Sequence, residues 1–354
     1  MSEANEKSNE RCIINSRLGA VGGQAVMEGV MMRSKTTVAI AVRQQESKKI
    51  VVRKKPSRTI RDRVKLFRLP IIRGIVNFIE MMILSFKTLT ASTEMLGIAD
   101  EEPSKFEKWL EKKFGASLMG FLSVIATILG VFLSLFLFLY LPAGSAKLVD
   151  YLTPGELGKG YMSIIEGVMK IAIFVLYIFL TSLIPDIKRV FMYHGSEHKS
   201  IFCYESGEEL TVENVKKHSR FHPRCGTSFM FVMIILSILI SAALPSWTWT
   251  YTAVRVLIKV LMLPFIVGIG FEFIMYAGKH NNIFTKIASA PGLWMQRITT
   301  KEPDDDMIEV AITSIKTALP EVFPDFEIPF EEKEEDFTQK DISDKEEIKA
   351  NENI

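Results

Sequence analysis

Four of the chain's five histidines fall in one short stretch, and the side chains around them are ones a metal ion accepts. His194-Gly195-Ser196-Glu197-His198 sets two imidazoles four residues apart with a glutamate beside the second, and His218, His222 and Cys225 follow. On a helix, positions i and i+4 share a face. Zinc takes neutral imidazole, thiolate and carboxylate ligands, usually four in a tetrahedron. The spacing therefore points to a divalent metal, zinc foremost.

A helix starting after Pro185 would carry His194 and His198 one turn apart. Thr211-Val212-Glu213-Asn214 reads as the start of a short helix reaching about Ser219. His222-Pro223-Arg224-Cys225-Gly226 then reads as a turn presenting His222 and Cys225 three residues apart. Two ligands from a helix and two from a turn would close a site. His-x-x-Glu-His is also the inverzincin peptidase pattern, in which the histidines bind zinc and the motif glutamate activates water. On that pattern Glu197 is the catalytic base and Glu272 a possible distant ligand. Four protein ligands would make the metal structural, whereas an open position would make it catalytic.

Blander readings stand beside these. The histidines could be solvated or meet lipid phosphate. His218, on the short helix, reads as a surface residue, and His280 as interfacial. Glu272 could snorkel to an interface, although an intramembrane acid is by default a functional candidate. Glu28, in Gly22-Gly23-Gln24-Ala25-Val26-Met27-Glu28-Gly29-Val30-Met31-Met32-Arg33, is either a ligand or base near the cluster or the partner of an arginine at a buried turn.

The elements that must position these groups are largely membrane helices. Ser117 to Leu141 is uncharged and long enough to cross about 30 Å of hydrocarbon. Ser163 to Ile184, Ser228 to Leu244 and Ala253 to Ala277 complete an expectation of about four spans. Glu166 and Lys170 form an i, i+4 pair suited to an interface, and Pro264 predicts a kink. The connection from Pro185 to Thr227 carries Lys188, Arg189, Lys199, Lys216, Lys217, Arg220 and Arg224, whereas the connections from Pro142 to Met162 and Pro245 to Thr252 carry only Lys147 and Lys159. The positive-inside rule then puts the His/Cys-rich loop 185–227 and both termini in the cytoplasm of a multi-pass cell-membrane protein; Arg255 and Lys259 argue weakly against it.

A net charge of +2 hides a strong asymmetry. Arg33 to Arg73 holds fourteen Lys or Arg against two acids, and from Glu302 onward acids outnumber Lys by more than three to one. Residues 1–17 are polar and read as disordered, with no signal peptide. Residues 18–68 read as a basic cytoplasmic region with a β-hairpin, Thr36 to Val42 and Ile50 to Arg53. An amphipathic interfacial helix occupies 69–98, with Ile72, Ile75, Ile79, Met82, Ile83 and Phe86 on one stripe. The four-helix membrane domain is 117–277. Cytoplasmic helices fill 278–319, with an amphipathic helix over Met307 to Leu319, and an acidic disordered tail follows over 320–354. Three cysteines, Cys12, Cys203 and Cys225, make no disulfide framework and leave Cys225 available to metal. The fold class is mainly α, polytopic, with a small β region.

The runs Gly22 to Arg33, His194 to Lys199, His222 to Ser228 and Thr300-Lys301-Glu302-Pro303-Asp304-Asp305 resemble the YqhQ-like bacterial membrane proteins, catalogued as domain of unknown function 1385. That resemblance implies a metal-dependent enzyme with His194, Glu197, His198, His222 and Cys225 in the site, and it supplies no reaction. Two functional expectations follow. One is a zinc-dependent hydrolase at the cytoplasmic membrane face. The other is a non-enzymatic membrane scaffold or adaptor with a structural zinc, its basic region docking on anionic lipid headgroups or on a ribosomal or membrane-protein partner.

Overall fold

The basic N-terminal region is a four-stranded antiparallel sheet, larger than the expected hairpin. The computed structural model describes residues 17–57, 59–60, 64–97, 116–153, 159–277 and 282–332. Strands β1 (Gly22–Val26), β2 (Gly29–Arg33), β3 (Thr37–Arg43) and β4 (Ile50–Pro56) pair in chain order. The expected hairpin is β3–β4, with Val42 opposite Val51. The two added strands are the Gly22 to Arg33 run. It carries no polar alternation because both faces of the sheet are covered. Val30, Met32, Ala39, Ala41 and Val52 join one core, and Val26, Met31, Val38, Ile40, Val42 and Val51 join another.

Among the described residues, five helices are long and apolar enough to cross a membrane by length and composition, against the four expected. They are α1 (Ile72–Met95), the continuous rod Val124–Leu152, α4 (Lys159–Thr181), α7 (Gly226–Ala243) and α8 (Thr252–Ala277). The extra one is α1, expected to be interfacial. Its end packs Ala91 and Met95 on the sheet, while Ile79, Met82, Ile83 and Phe86 stay exposed. The rod joins α2 (Ala116–Leu135) to α3 (Leu141–Leu152) through a π turn at Phe136–Tyr140. Pro142 does not end the span as expected. It falls in the first turn of α3, where the π turn accommodates its missing N–H. Helix α8 likewise runs through Pro264.

A charged layer lies buried among α4, α7 and α8. Lys259 pairs with Glu166 Oε1, Arg255 Nη2 lies 3.4 Å from Glu166 Oε2, and Ser241 Oγ donates to the same oxygen at 2.7 Å. Lys170 Nζ donates to Ser237 Oγ at 2.8 Å, and the Arg255 guanidinium sits 3.8 Å from the centre of the Trp249 ring. The Glu166–Lys170 pair is therefore interior and not interfacial. Removing one member would leave buried charge uncompensated, which is the costly case.

Four further helices build the polar end. Helix α5 (Pro185–Glu205) starts with proline at its first position and Asp186 in its first turn. Helix α6 (Val212–Lys217) starts where expected, with the Thr211 side chain accepting from the Asn214 N–H. Helix α9 (Ile283–Thr299) opens on an Asn282/Thr285 capping box. Helix α10 (Asp305–Ala318) buries Ile308, Ala311, Ile312, Ile315 and neighbouring Leu319. It lies between α5 and the sheet, where Ser314 Oγ donates to Ala39 O and Arg43 pairs with Glu309. Residues 330–332, in the tail expected to be disordered, lie against β4. Val52 exchanges backbone hydrogen bonds with Phe330 and Glu332, and Arg53 and Lys54 pair with Glu332 and Glu331. Acid in the tail meets base in the strand. Residues 1–16, His280 and 333–354, and the expectations attached to them, lie outside the described residues.

The tightest backbone approach at this end involves Gly195 in α5, where a Cβ would meet Lys301 O at 2.0 Å. Gly195→Ala is expected to cost about 1–3 kcal/mol through overpacking. Gly130→Ala, at a helix position with open space around it, should gain up to about 1 kcal/mol from helix propensity. Thermal unfolding of both variants in one detergent checks the opposite signs.

Candidate metal centre

Helix α5 brings His194 and His198 to one face, with ring centroids 4.4 Å apart. Each Nδ1 meets a backbone carbonyl: His194 at Thr299 O, 2.8 Å, and His198 at Arg220 O, 2.6 Å. A carbonyl can only accept, so each Nδ1 carries a proton, and in the neutral ring each Nε2 keeps its lone pair. Cys225 precedes the first turn of α7, and its Sγ lies 3.3 Å from His194 Nε2. One ligand atom from each of His194, His198 and Cys225 lies within 4.8 Å of the other two. Burial alone would raise the Cys225 thiol, but His198 and Thr227 hold it below its ordinary value. Burial and the charge of His194 lower His198, favouring the neutral ring.

Glu197 is packed against the sheet. A Cβ on Gly23 would lie 2.9 Å from its Oε1 and 2.8 Å from its Cγ, so a glycine in β1 makes the room. Its Oε2 is buried with no hydrogen-bond partner among the described residues. Burial pushes this carboxyl up to about 8, with the charge of Cys225 adding to the rise and that of His194 opposing it. A buried, unpartnered carboxyl of this kind can exchange a proton near neutral pH.

His222 stands beside this group. Its ring centroid is 5.5 Å from that of His198. Its Nδ1 accepts the Arg224 N–H at 3.3 Å, and its Nε2 lies 3.9 Å from Glu205 Oε2. Glu205 also pairs with Arg224 and accepts the Gly19 N–H. The backbone of His222 exchanges two hydrogen bonds with the fully buried Gln296 amide, at 2.7 and 2.8 Å. These contacts hold the turn that delivers Cys225.

The other sequence candidates sit elsewhere. Glu28, in the β1–β2 turn with φ +49°, accepts from Arg189 Nε and Nη2 and from the Tyr193 hydroxyl, so it clamps the sheet to α5. Glu272 forms a two-point pair with Arg73 at the start of α1. His218 caps α6 and lies 3.3 Å from Glu208. Sequence reasoning missed Gly23, Glu205, Gln296 and the carbonyls of Arg220 and Thr299. A carbonyl's role leaves no mark on side-chain identity, and the run Gly22 to Arg33 was the only signal near Gly23.

The fold and site define a mainly helical protein with five apolar helices among the described residues, as in a multi-pass membrane protein, and a small sheet over a His/Cys/Glu cluster. The chain belongs to the family described as "Protein of unknown function (DUF1385)", whose model matches residues 69–321. It is 36% identical over 305 residues to "Uncharacterized protein YqhQ" of Bacillus subtilis (strain 168), an alignment covering 85% of this chain and 92% of the relative. Neither description names a metal or an activity. No solved structure matches.

A carboxyl raised from 4.5 to about 8 on folding favours the folded state fully below the lower value. That contribution is lost as pH rises through the higher one. Chelator-treated protein should therefore lose stability between those values, and Glu197→Gln should flatten the dependence. Unfolding midpoints measured across this pH window give the answer; an unchanged slope in the variant would contradict the assignment.

Proposed function

We propose that this chain is an integral membrane metal-binding protein that holds zinc, or another divalent ion, on His194, His198 and Cys225, and that it is a hydrolase acting at the cytoplasmic membrane face. The observation that carries the metal is the anchoring of both Nδ1 atoms to backbone carbonyls, with both Nε2 atoms left beside one cysteine sulfur. That outer contact is the one that metal-bound histidines make. The donor set of two imidazoles and a thiolate suits zinc and leaves a fourth position open. When bound, the ion supplies Lewis acidity toward a carbonyl or phosphoryl oxygen. Glu197 accepts the proton of the attacking water, and its burial keeps its basicity high. His222, Glu205 and Gln296 position the turn carrying Cys225.

Topology supports the membrane placement. The sheet packs on α5 and on α10, so all three lie on one side of the bilayer. The chain must then cross an even number of times between the sheet and α5, and again between α5 and α10. Helices α7 and α8 satisfy the second interval. In the first, the rod Val124–Leu152 and α4 cross. Helix α1, tied to Glu272 at its start and to the sheet at its end, lies in the interface. Arg255 and Lys259 are interior partners of Glu166, so they carry no weight against the loop charges that place this side in the cytoplasm.

A second reading is favoured by the burial of the cluster, in which Glu197, His198 and Cys225 are each at most 9% exposed. On it the metal is structural, and the protein is a scaffold whose basic sheet docks on lipid or a protein or ribosomal partner. Two measurements separate the readings. Metal analysis of purified protein should give one equivalent, lost in His198→Ala and kept in His222→Ala and Glu197→Gln. In a strain lacking the gene, Glu197→Gln should fail to restore function under the hydrolase reading and should restore it under the scaffold reading. Reporter fusions should place both termini in the cytoplasm; termini on opposite faces would remove the four-crossing arrangement.

A further inference from the structure

A second group of metal-binding side chains gathers where α5 ends, made of residues other than those of the centre described above. One ligand atom from each of Cys203, Glu208 and His218 lies within 4.8 Å of the other two. Cys203 stands in the last turn of α5 and is fully buried. Gly207, at φ +84°, turns the chain after the helix, a conformation that glycine adopts readily, and Glu208 follows it. His218 caps the far end of α6, its N–H donating to Val215 O at 3.1 Å. The turn is pinned through Glu209 O, which accepts from Cys203 Sγ at 3.5 Å and from Asn214 Nδ2 at 3.1 Å. A helix end, a turn and a helix cap thus deliver a sulfur, an oxygen and a nitrogen to one place.

The imidazole points to a cation. His218 Nε2 is buried and makes no hydrogen bond among the described residues. Glu208 Oε1 lies 3.3 Å from it, in a direction that makes no hydrogen bond. That is the separation of two atoms that each sit about 2.0–2.1 Å from one tetrahedral ion. We propose that Cys203, Glu208 and His218 form a second zinc site, a clip that ties the end of α5 to the end of α6. Thiolate beside imidazole selects zinc over magnesium or calcium. The Glu208 side chain is 44% exposed, so water completes the shell and the ion exchanges with the medium. The buried His198 and Cys225 lack such an opening. The clip rests on its own three residues and not on metal at the centre.

The test uses the full chain in detergent, dialysed against metal-free buffer and then titrated with zinc, with bound metal counted at each stage. Dialysed protein should keep the one equivalent of the centre, and titration should add a second. Cys203→Ser and His218→Gln should each lose the added equivalent and keep the first. Glu213→Gln, a loss of one acid on α6, should keep both. Cobalt reads the sulfur: with Cys12→Ser and Cys225→Ser in place, a thiolate-to-cobalt charge-transfer band should persist, and adding Cys203→Ser should abolish it. No added equivalent in the full chain, its survival in His218→Gln, its loss in Glu213→Gln, or a band that outlasts Cys203→Ser would overturn the clip. His218→Gln decides the matter if serine at the fully buried Cys203 position prevents folding. The two sites fail separately. If the first equivalent is missing while the titrated one still needs His218, the centre falls and the clip stands; the reverse pattern removes the clip alone.

Discussion

A polar helical turn has been taken out of water, and the rest of the structure is arranged around that constraint. Over Tyr193 to Lys199 only His194 keeps appreciable exposure, yet the segment carries two imidazoles, a carboxylate and an ammonium. Burying such groups is costly unless each finds a partner. The partners come from both ends of the chain. Gly23 in the first strand makes room for Glu197, Thr299 and Arg220 supply carbonyls to the histidines, and Glu302 pairs with Lys199 at 2.7 Å. The one fully buried carboxylate oxygen left unpartnered among the described residues, Glu197 Oε2, is the one assigned a proton in the proposed chemistry.

The same closure restrains the membrane part. Because the sheet and α10 meet on α5, helices between them must leave and return on the same side. A second polar layer, Glu166 with Lys170, Arg255 and Lys259, joins α4 to α8 within the bundle. The two polar layers differ in kind. The bundle layer answers its acid with excess base and hydroxyls. The α5 layer leaves two imidazole nitrogens and a sulfur converging, a poor arrangement unless a cation accepts them.

Much of this was legible in the residues. Long apolar runs mark the spans, Pro185 and Thr211 mark helix starts, and the i, i+4 histidines share a face as their spacing requires. Cys225 was legible because Pro223 and Gly226 define a turn. The sheet's first two strands were hidden, since a strand covered on both faces shows no alternation. The length of the first membrane rod was hidden because a π turn carries the helix past Pro142. The offset of His222 from the other three could not be read either. It depends on Glu205 and Gln296, which approach from α5 and α9, and sequence spacing alone makes His222 and Cys225 equivalent. The start of the acidic tail looked disordered from composition, but opposite charge on β4 gives residues 330–332 a surface to lie on.

X-ray absorption spectroscopy of the full-length protein carrying one equivalent of zinc tests the centre most directly, because it reads the donors themselves. The expected spectrum has one sulfur near ~2.3 Å and two imidazole nitrogens near ~2.0 Å, with one further light-atom ligand. A shell without sulfur, a third imidazole, or a protein that does not retain zinc would contradict a centre built from His194, His198 and Cys225.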